Sequence, residues 1–177
     1  MRSIAIAASL VLAAPAAAEV VQSSPTMFEV SQTVTADAPL QQTWDVLKAP
    51  QKWWSADHTY SGKVENLYLD AQASGCFCER LDAKGSIEHL RITYIQPPRM
   101  IRFSGSLGPL AAEAVTGTLT IKLDSEGAAA TKVTLTYLVA GYVRAGAEAL
   151  APKVDEVLAQ QMLGLKSAAE AAPAAAK

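Results

Sequence analysis

The feature that most narrows the fold is a change of hydrophobic period. Between residues 67 and 142 apolar residues favour every second position, and from 147 to 166 they recur at helical spacing. The first stretch contains "LYLD" (67–70), "CFCERL" (76–81), "SIEHLRITYI" (86–95), "RMIRFSG" (99–105), "AVTGTLTIKL" (114–123) and "TKVTLTYLVAGY" (131–142). Turn signals separate most of them: "DAKG", "QPPR", "SLGPL" and "DSEGAAA". Consecutive strands joined by tight turns make an antiparallel sheet. The second stretch sets Leu150, Val154, Val157, Leu158, Gln161, Met162 and Leu165 on one helical face, with Lys153, Glu156 and Gln160 opposite. A single long amphipathic helix must bury its stripe, and the apolar face of the sheet is the partner large enough to take it.

Upstream, "MFEVSQTVTA" (27–36) alternates, with Phe28, Val30 and Val34 sharing one face of a half-buried strand. In "DAPLQQTWDVLKAPQKWWS" Asp37 can cap and Pro39 suits a first turn. Leu40, Trp44 and Leu47 then recur at helical spacing until Pro50. "QKWW" reads as a second short helix or a turn. The expected class is α+β: a curved antiparallel sheet of about seven strands around a long C-terminal helix, with two short helices after the first strand. Such a sheet wrapped on one helix leaves a hollow between them.

The first residues add a destination. Arg2 precedes the apolar run "IAIAASLVLAA", which is too short to span a bilayer, and Ala16 and Ala18 sit before a cut ahead of Glu19. This is the pattern of a secretory signal peptide over residues 1–18, and it implies export to the periplasm. No second long apolar stretch follows, so no integral membrane segment is expected once the signal is removed. Residues 27–166 make one domain, and the Ala-rich residues 167–177 read as a disordered tail. With 15 Lys and Arg against 17 Asp and Glu, the charge balance gives no reason to expect nucleic acid as a partner.

Turn chemistry assigns the faces. A three-residue loop with Gly85 in the left-handed conformation pairs Asp82 with Ser86. Arg80 then opposes Glu88, Cys78 opposes Leu90, Cys76 opposes Ile92, and on the other face Glu79 opposes His89. A two-residue Pro97-Pro98 loop pairs Tyr94 with Ile101 and Ile92 with Phe103. The apolar set Cys76, Cys78, Leu90, Ile92, Tyr94, Ile101 and Phe103 becomes the inward wall, continued by Val115, Leu119, Ile121, Val133, Leu135, Tyr137 and Val139. On this register His89 and Glu79 point away from the hollow; with reversed parity they would line it and form a site.

Cys76 and Cys78 are the only cysteines. Alternate residues on a regular strand lie about 6.6 Å apart between Cα atoms, the upper limit for a disulfide. The readings are two small wall residues, an oxidised pair that distorts the strand, or a metal clamp lacking two further ligands. No metal and no cofactor is assigned. Trp53, Trp54 and Tyr60 sit near the expected mouth, His58 lies in a rim loop, and "SLGPLAAEA" (106–114) reads as an entrance loop or a plain connection.

The element order, together with "TWDVLKAPQKWWS", "GCFCERLDAKGSIEHLRITYIQPPRMIRFSG" and "GTLTIKL … TKVTLTY … VDEVLAQQM", resembles the START-like helix-grip superfamily, SRPBCC. Within it the chain is similar to the branch of polyketide cyclases and heat-shock ATPase activator homologues. The resemblance implies a deep cavity between sheet and C-terminal helix that binds lipids, polyketides or other apolar molecules. The expected partner is therefore a small apolar or aromatic molecule. The expected contacts are Trp53, Trp54, Tyr60, Cys76, Cys78, Glu88, Leu90, Tyr94, Phe103, Tyr137 and Met162. The alternative is a cyclase- or dehydratase-type enzyme using His89 with Glu79, or the cysteine pair.

Overall fold

A computed structural model describes residues 17–173. The expected signal peptide lies outside the described residues except for Ala17 and Ala18, which begin a strand. Eight strands form one sheet: β1 (Ala17–Ser24), β2 (Met27–Ala36), β3 (Leu67–Leu69), β4 (Cys76–Arg80), β5 (Ser86–Gln96), β6 (Met100–Gly105), β7 (Ala114–Ser125) and β8 (Thr131–Tyr142). Their order is β1-β2-β8-β7-β6-β5-β4-β3, antiparallel throughout. The additional strand is β1, whose "AAEVVQSS" lacks clean alternation and pairs along β2 through an irregularity near Val20.

Helix α1 spans Leu40–Leu47 and buries Trp44 and Leu47, as their spacing predicts. The short helix or turn expected at "QKWW" is a 3-10 turn, Pro50–Lys52, and two more, Ala56–His58 and Val64–Asn66, follow before β3. The long helix α2 runs Ala147–Ala171. It continues five residues into the segment read as tail, because Ala169 is small enough to be fully buried there and Glu170 accepts the Asp37 N–H at 2.9 Å.

Helix α2 packs chiefly on β2 and β1, and also against α1. Buried Gln32 on β2 fixes its register by donating to the Asp155 carboxylate. The core lies between this helix and the face carrying Phe28, Val30, Ile101, Leu123, Val133 and Tyr137. Because the helix sits over the β1–β2 end, the concave face of β4, β5 and β6 is covered instead by the segment after α1. The hollow is at that end.

Two local features change the expected faces. The β4–β5 turn places Ala83 and Lys84, not Gly85, in the left-handed region (φ +55° and +64°), and Gly85 N–H donates to Asp82 O at 3.1 Å. Arg80 therefore pairs with Ser86 and Cys78 with Glu88, and the register then slips so that Phe77 pairs with Leu90. His89 is the extra residue in that bulge. Bulges re-aim side chains, and here Phe77, Glu79, His89 and Leu90 are all buried while Glu88 is exposed. The parity of β4 is thus the reverse of the expectation. The second feature is at the Pro97-Pro98 connection, where Gln96 pairs with Met100 across three residues, and a slip near Thr93 compensates. Ile92 still opposes Phe103, but Tyr94 opposes Arg102 and is exposed rather than inward.

Candidate functional site

Phe77 and Glu79 point to the concave side of β4, and alternation sends Cys76 and Cys78 to the other side. The two cysteines are joined as a disulfide with Cα atoms 5.4 Å apart, so the strand is drawn in from its regular spacing. Of the open alternatives the oxidised pair is the one present. The bridge lies behind the wall of the hollow, and neither cysteine borders the hollow.

The Glu79 carboxylate is fully buried and receives the backbone N–H of Tyr60 at 3.0 Å and of Ser61 at 2.6 Å. Its Oε2 also meets His89 Nε2 at 3.0 Å. Burial works to raise the Glu79 pKa, but the hydrogen bonds from Ser61, Tyr60 and His89 together outweigh it and hold the group below the ordinary 4.5. For His89, burial is the larger influence; it exceeds the pull of Glu79 and holds the imidazole below its ordinary 6.5. At neutral pH the pair is therefore a carboxylate and a neutral imidazole. The carboxylate only accepts, so the imidazole proton sits on Nε2 and Nδ1 carries the lone pair.

Aromatic rings lead from this pair into the interior. Tyr60 lies 5.8 Å from the His89 ring, His89 stacks on Phe77 at 4.9 Å, Phe77 meets Trp54 at 5.0 Å, and Trp54 meets Trp53 at 5.4 Å. Two spaces open along this row. The larger, about 530 Å³, is bounded by Trp54 and 57–60 on one side, by Leu107–Leu110 on another, by His89, and by Leu150, Lys153, Val154, Val157 and Leu158 of α2. The smaller, about 30 Å³, is wholly apolar, and Leu47, Phe77, Leu90, Phe103, Leu119 and Leu135 are among its walls. Trp54 and Leu158 line both and stand between them.

The mouth is braced. Tyr60 Oη donates to Gly108 O at 3.0 Å, joining its two sides. Gln161 on α2 accepts the Ser55 N–H at 2.8 Å, and its amide nitrogen reaches His58 Nδ1 at 2.8 Å. Trp54 Nε1 donates to His58 O at 2.9 Å. Tyr137 Oη donates to Gly105 O at 3.0 Å and accepts the Leu107 N–H at 3.2 Å, anchoring the 106–113 segment. Burial pushes the Tyr137 pKa up to about 12, so this phenol stays protonated.

The expected contact residues divide accordingly. Trp54 and Tyr60 line the larger space; Trp53, Trp54, Leu90 and Phe103 line the smaller. Tyr137 and Met162 are core residues against neither. Glu88 pairs with Arg91 on the exposed face, and Tyr94 lies beside Arg102. Lys153, expected on the solvent face of α2, stands at the cavity edge, one turn from Val157. Helical spacing already carried that signal, since positions four apart share a face.

An antiparallel sheet gripping one long C-terminal helix, with a cavity beside the helix under the segment after α1, defines a helix-grip protein. The chain belongs to the family described as polyketide cyclase/dehydrase and lipid transport, whose profile matches residues 27–170. Solved structures share the fold at low identity. A protein from Arthrobacter aurescens superposes with a TM-score of 0.56 at 14% identity, covering 90% of this chain and 96% of its own. Mll3558 from Rhizobium loti gives 0.58 at 16%, covering 81% and 99%, and CalU16 from Micromonospora echinospora gives 0.53 at 15%, covering 84% and 78%. No curated protein matches the chain in sequence.

Proposed function

We propose that the protein binds a small apolar or aromatic molecule in the cavity of about 530 Å³ bounded by α2, residues 57–60, Leu107–Leu110 and His89 of β5. The single observation that carries this is the cavity itself, whose volume falls within the range of small-molecule sites. Its walls combine Trp54, Leu107, Leu110, Leu150, Val154 and Val157 with a few polar groups at one end. Burying apolar surface supplies roughly 25 cal/mol per Å², from which the cost of ordering the guest is subtracted. The family description, which includes lipid transport, supports the same reading. The test is native mass spectrometry of gently isolated protein together with titration by N-phenylnaphthylamine. A co-purifying small mass, or fluorescence enhancement that saturates, is expected. A bare chain that leaves the probe dark contradicts the proposal.

A second reading is acid–base chemistry on the bound molecule, of the cyclase or dehydratase type. His89 supports it by lining the cavity while held by Glu79. A neutral imidazole oriented by a buried carboxylate is a competent proton acceptor. Export is the compartment we propose. The leader-like pattern of residues 1–18 supports it, and so does the Cys76–Cys78 disulfide, which suits an oxidising environment.

A further inference from the structure

We infer that the cavity selects guests that present a hydroxyl, with His89 Nδ1 accepting its hydrogen bond. This deepens the proposed binding function and rests on it.

Three observations converge. First, the Glu79 carboxylate is saturated by donors, two backbone N–H groups and the His89 ring. It therefore fixes the imidazole tautomer, leaving Nδ1 with a lone pair. Second, Nδ1 has no hydrogen-bond partner among the described residues, yet it is not one of the fully enclosed orphan atoms; the described one is Gln32 Oε1. With the His89 residue only 6% exposed, the access it keeps is through the cavity it lines. Third, the ring cannot swing away. Phe77 stacks on one side at 4.9 Å, Tyr60 lies 5.8 Å off, and Glu79 holds the far nitrogen. A fixed, half-desolvated acceptor rejects a guest that cannot donate, since the nitrogen would lose water and gain nothing. An aromatic alcohol satisfies both halves of the site: its ring extends the Tyr60–His89–Phe77–Trp54 row, and its hydroxyl meets Nδ1.

His58 has the complementary polarity. Gln161 Oε1 must face the Ser55 N–H, so its amide NH₂ faces His58 Nδ1, which accepts. The remaining His58 nitrogen is then the donor. The cavity lining thus carries a held acceptor on His89 and a donor on His58, with Asp57, Thr59, Tyr60 and Lys153 as the other polar residues around them.

The experiment compares naphthalene, β-naphthol and the methyl ether of β-naphthol by calorimetric titration at neutral pH. β-Naphthol should bind about tenfold tighter than the ether, the worth of one net hydrogen bond. As pH falls through the range below 6.5, Nδ1 gains a proton and the preference should shrink toward equal affinity, since both oxygens can accept from Nδ1–H. His89→Phe keeps the stack on Phe77 and every charged group at the mouth; it should bind both compounds with equal affinity at every pH. Equal affinities in the wild-type protein, or a preference that survives His89→Phe, overturn the inference while leaving the cavity reading intact. Failure of all three compounds, naphthalene included, overturns the cavity reading and the inference with it.

Discussion

Glu79 on β4 and His89 on β5 meet at 3.0 Å inside the concave wall, although no ladder rung joins them. The bulge that makes His89 the extra residue is what brings them there. This pair links the stability of the fold to the chemistry of its cavity.

Acid should weaken the protein through both groups. Glu79 has a depressed folded pKa, so its contribution is complete above 4.5 and is lost as pH falls through the folded value. His89 is also depressed in the folded state. Below 6.5 the unfolded chain therefore binds more protons, and stability falls as pH falls from there. Urea unfolding across pH should show a decline beginning near 6.5 that His89→Phe removes. Glu79→Ala leaves the Tyr60 and Ser61 N–H groups without their acceptor and should cost on the order of 3 kcal/mol at neutral pH. A pH-independent midpoint down to 5 would contradict this assignment.

Gly164 should resist replacement. A Cβ there would lie 2.3 Å from the carbonyl oxygen of Trp53, so α2 and the tryptophan segment touch backbone to backbone. Ala is the better helix former by about 1 kcal/mol, yet Gly164→Ala should lose about 2 kcal/mol net through overpacking. Thermal unfolding measures it; a stabilised variant would show that the approach is looser.

Tyr137→Phe removes the hydroxyl on β8 that holds the end of β6 at Gly105 and the Leu107 N–H beyond it. The expected loss is about 1 kcal/mol, with faster amide exchange confined to the 105–113 segment. Faster exchange throughout the sheet would mean that the hydroxyl serves the core rather than the cavity edge.

Protein isolated without reductant should contain no free thiol and should weigh one H₂ less than after reduction, as the Cys76–Cys78 bridge requires. Alkylation of the unreduced, unfolded chain checks it, and full labelling of both cysteines would contradict the bridge.

Much of the architecture is legible in the sequence because it follows from periodicity and order. Phe28, Val30 and Val34 alternate, Trp44 and Leu47 fall one turn apart, and Leu158, Met162 and Leu165 form a stripe; each is buried as its spacing dictates. The side-chain directions on β4 are not legible, because a single extra residue inverts a strand whose period is two. Nothing in "SIEHLRITYI" marks His89 as that residue. The Glu79–His89 pairing itself is foreseeable from charge complementarity, but its face is not. Tyr94 fails for the same reason at the second slip, while Ile92 opposite Phe103 survives because loop length and bulge cancel. Lys153 was readable: it sits one turn from Val157, and counting it with the stripe places it at the cavity edge.

The central claim is that the space beside α2 holds a guest. Val157→Trp fills that space from the helix side at a position outside the buried core. Calorimetric titration with N-phenylnaphthylamine should give saturable binding to the wild-type protein and at least a tenfold loss in the variant, with matching circular dichroism spectra. Equal affinity in the two proteins would place the guest elsewhere and contradict the account.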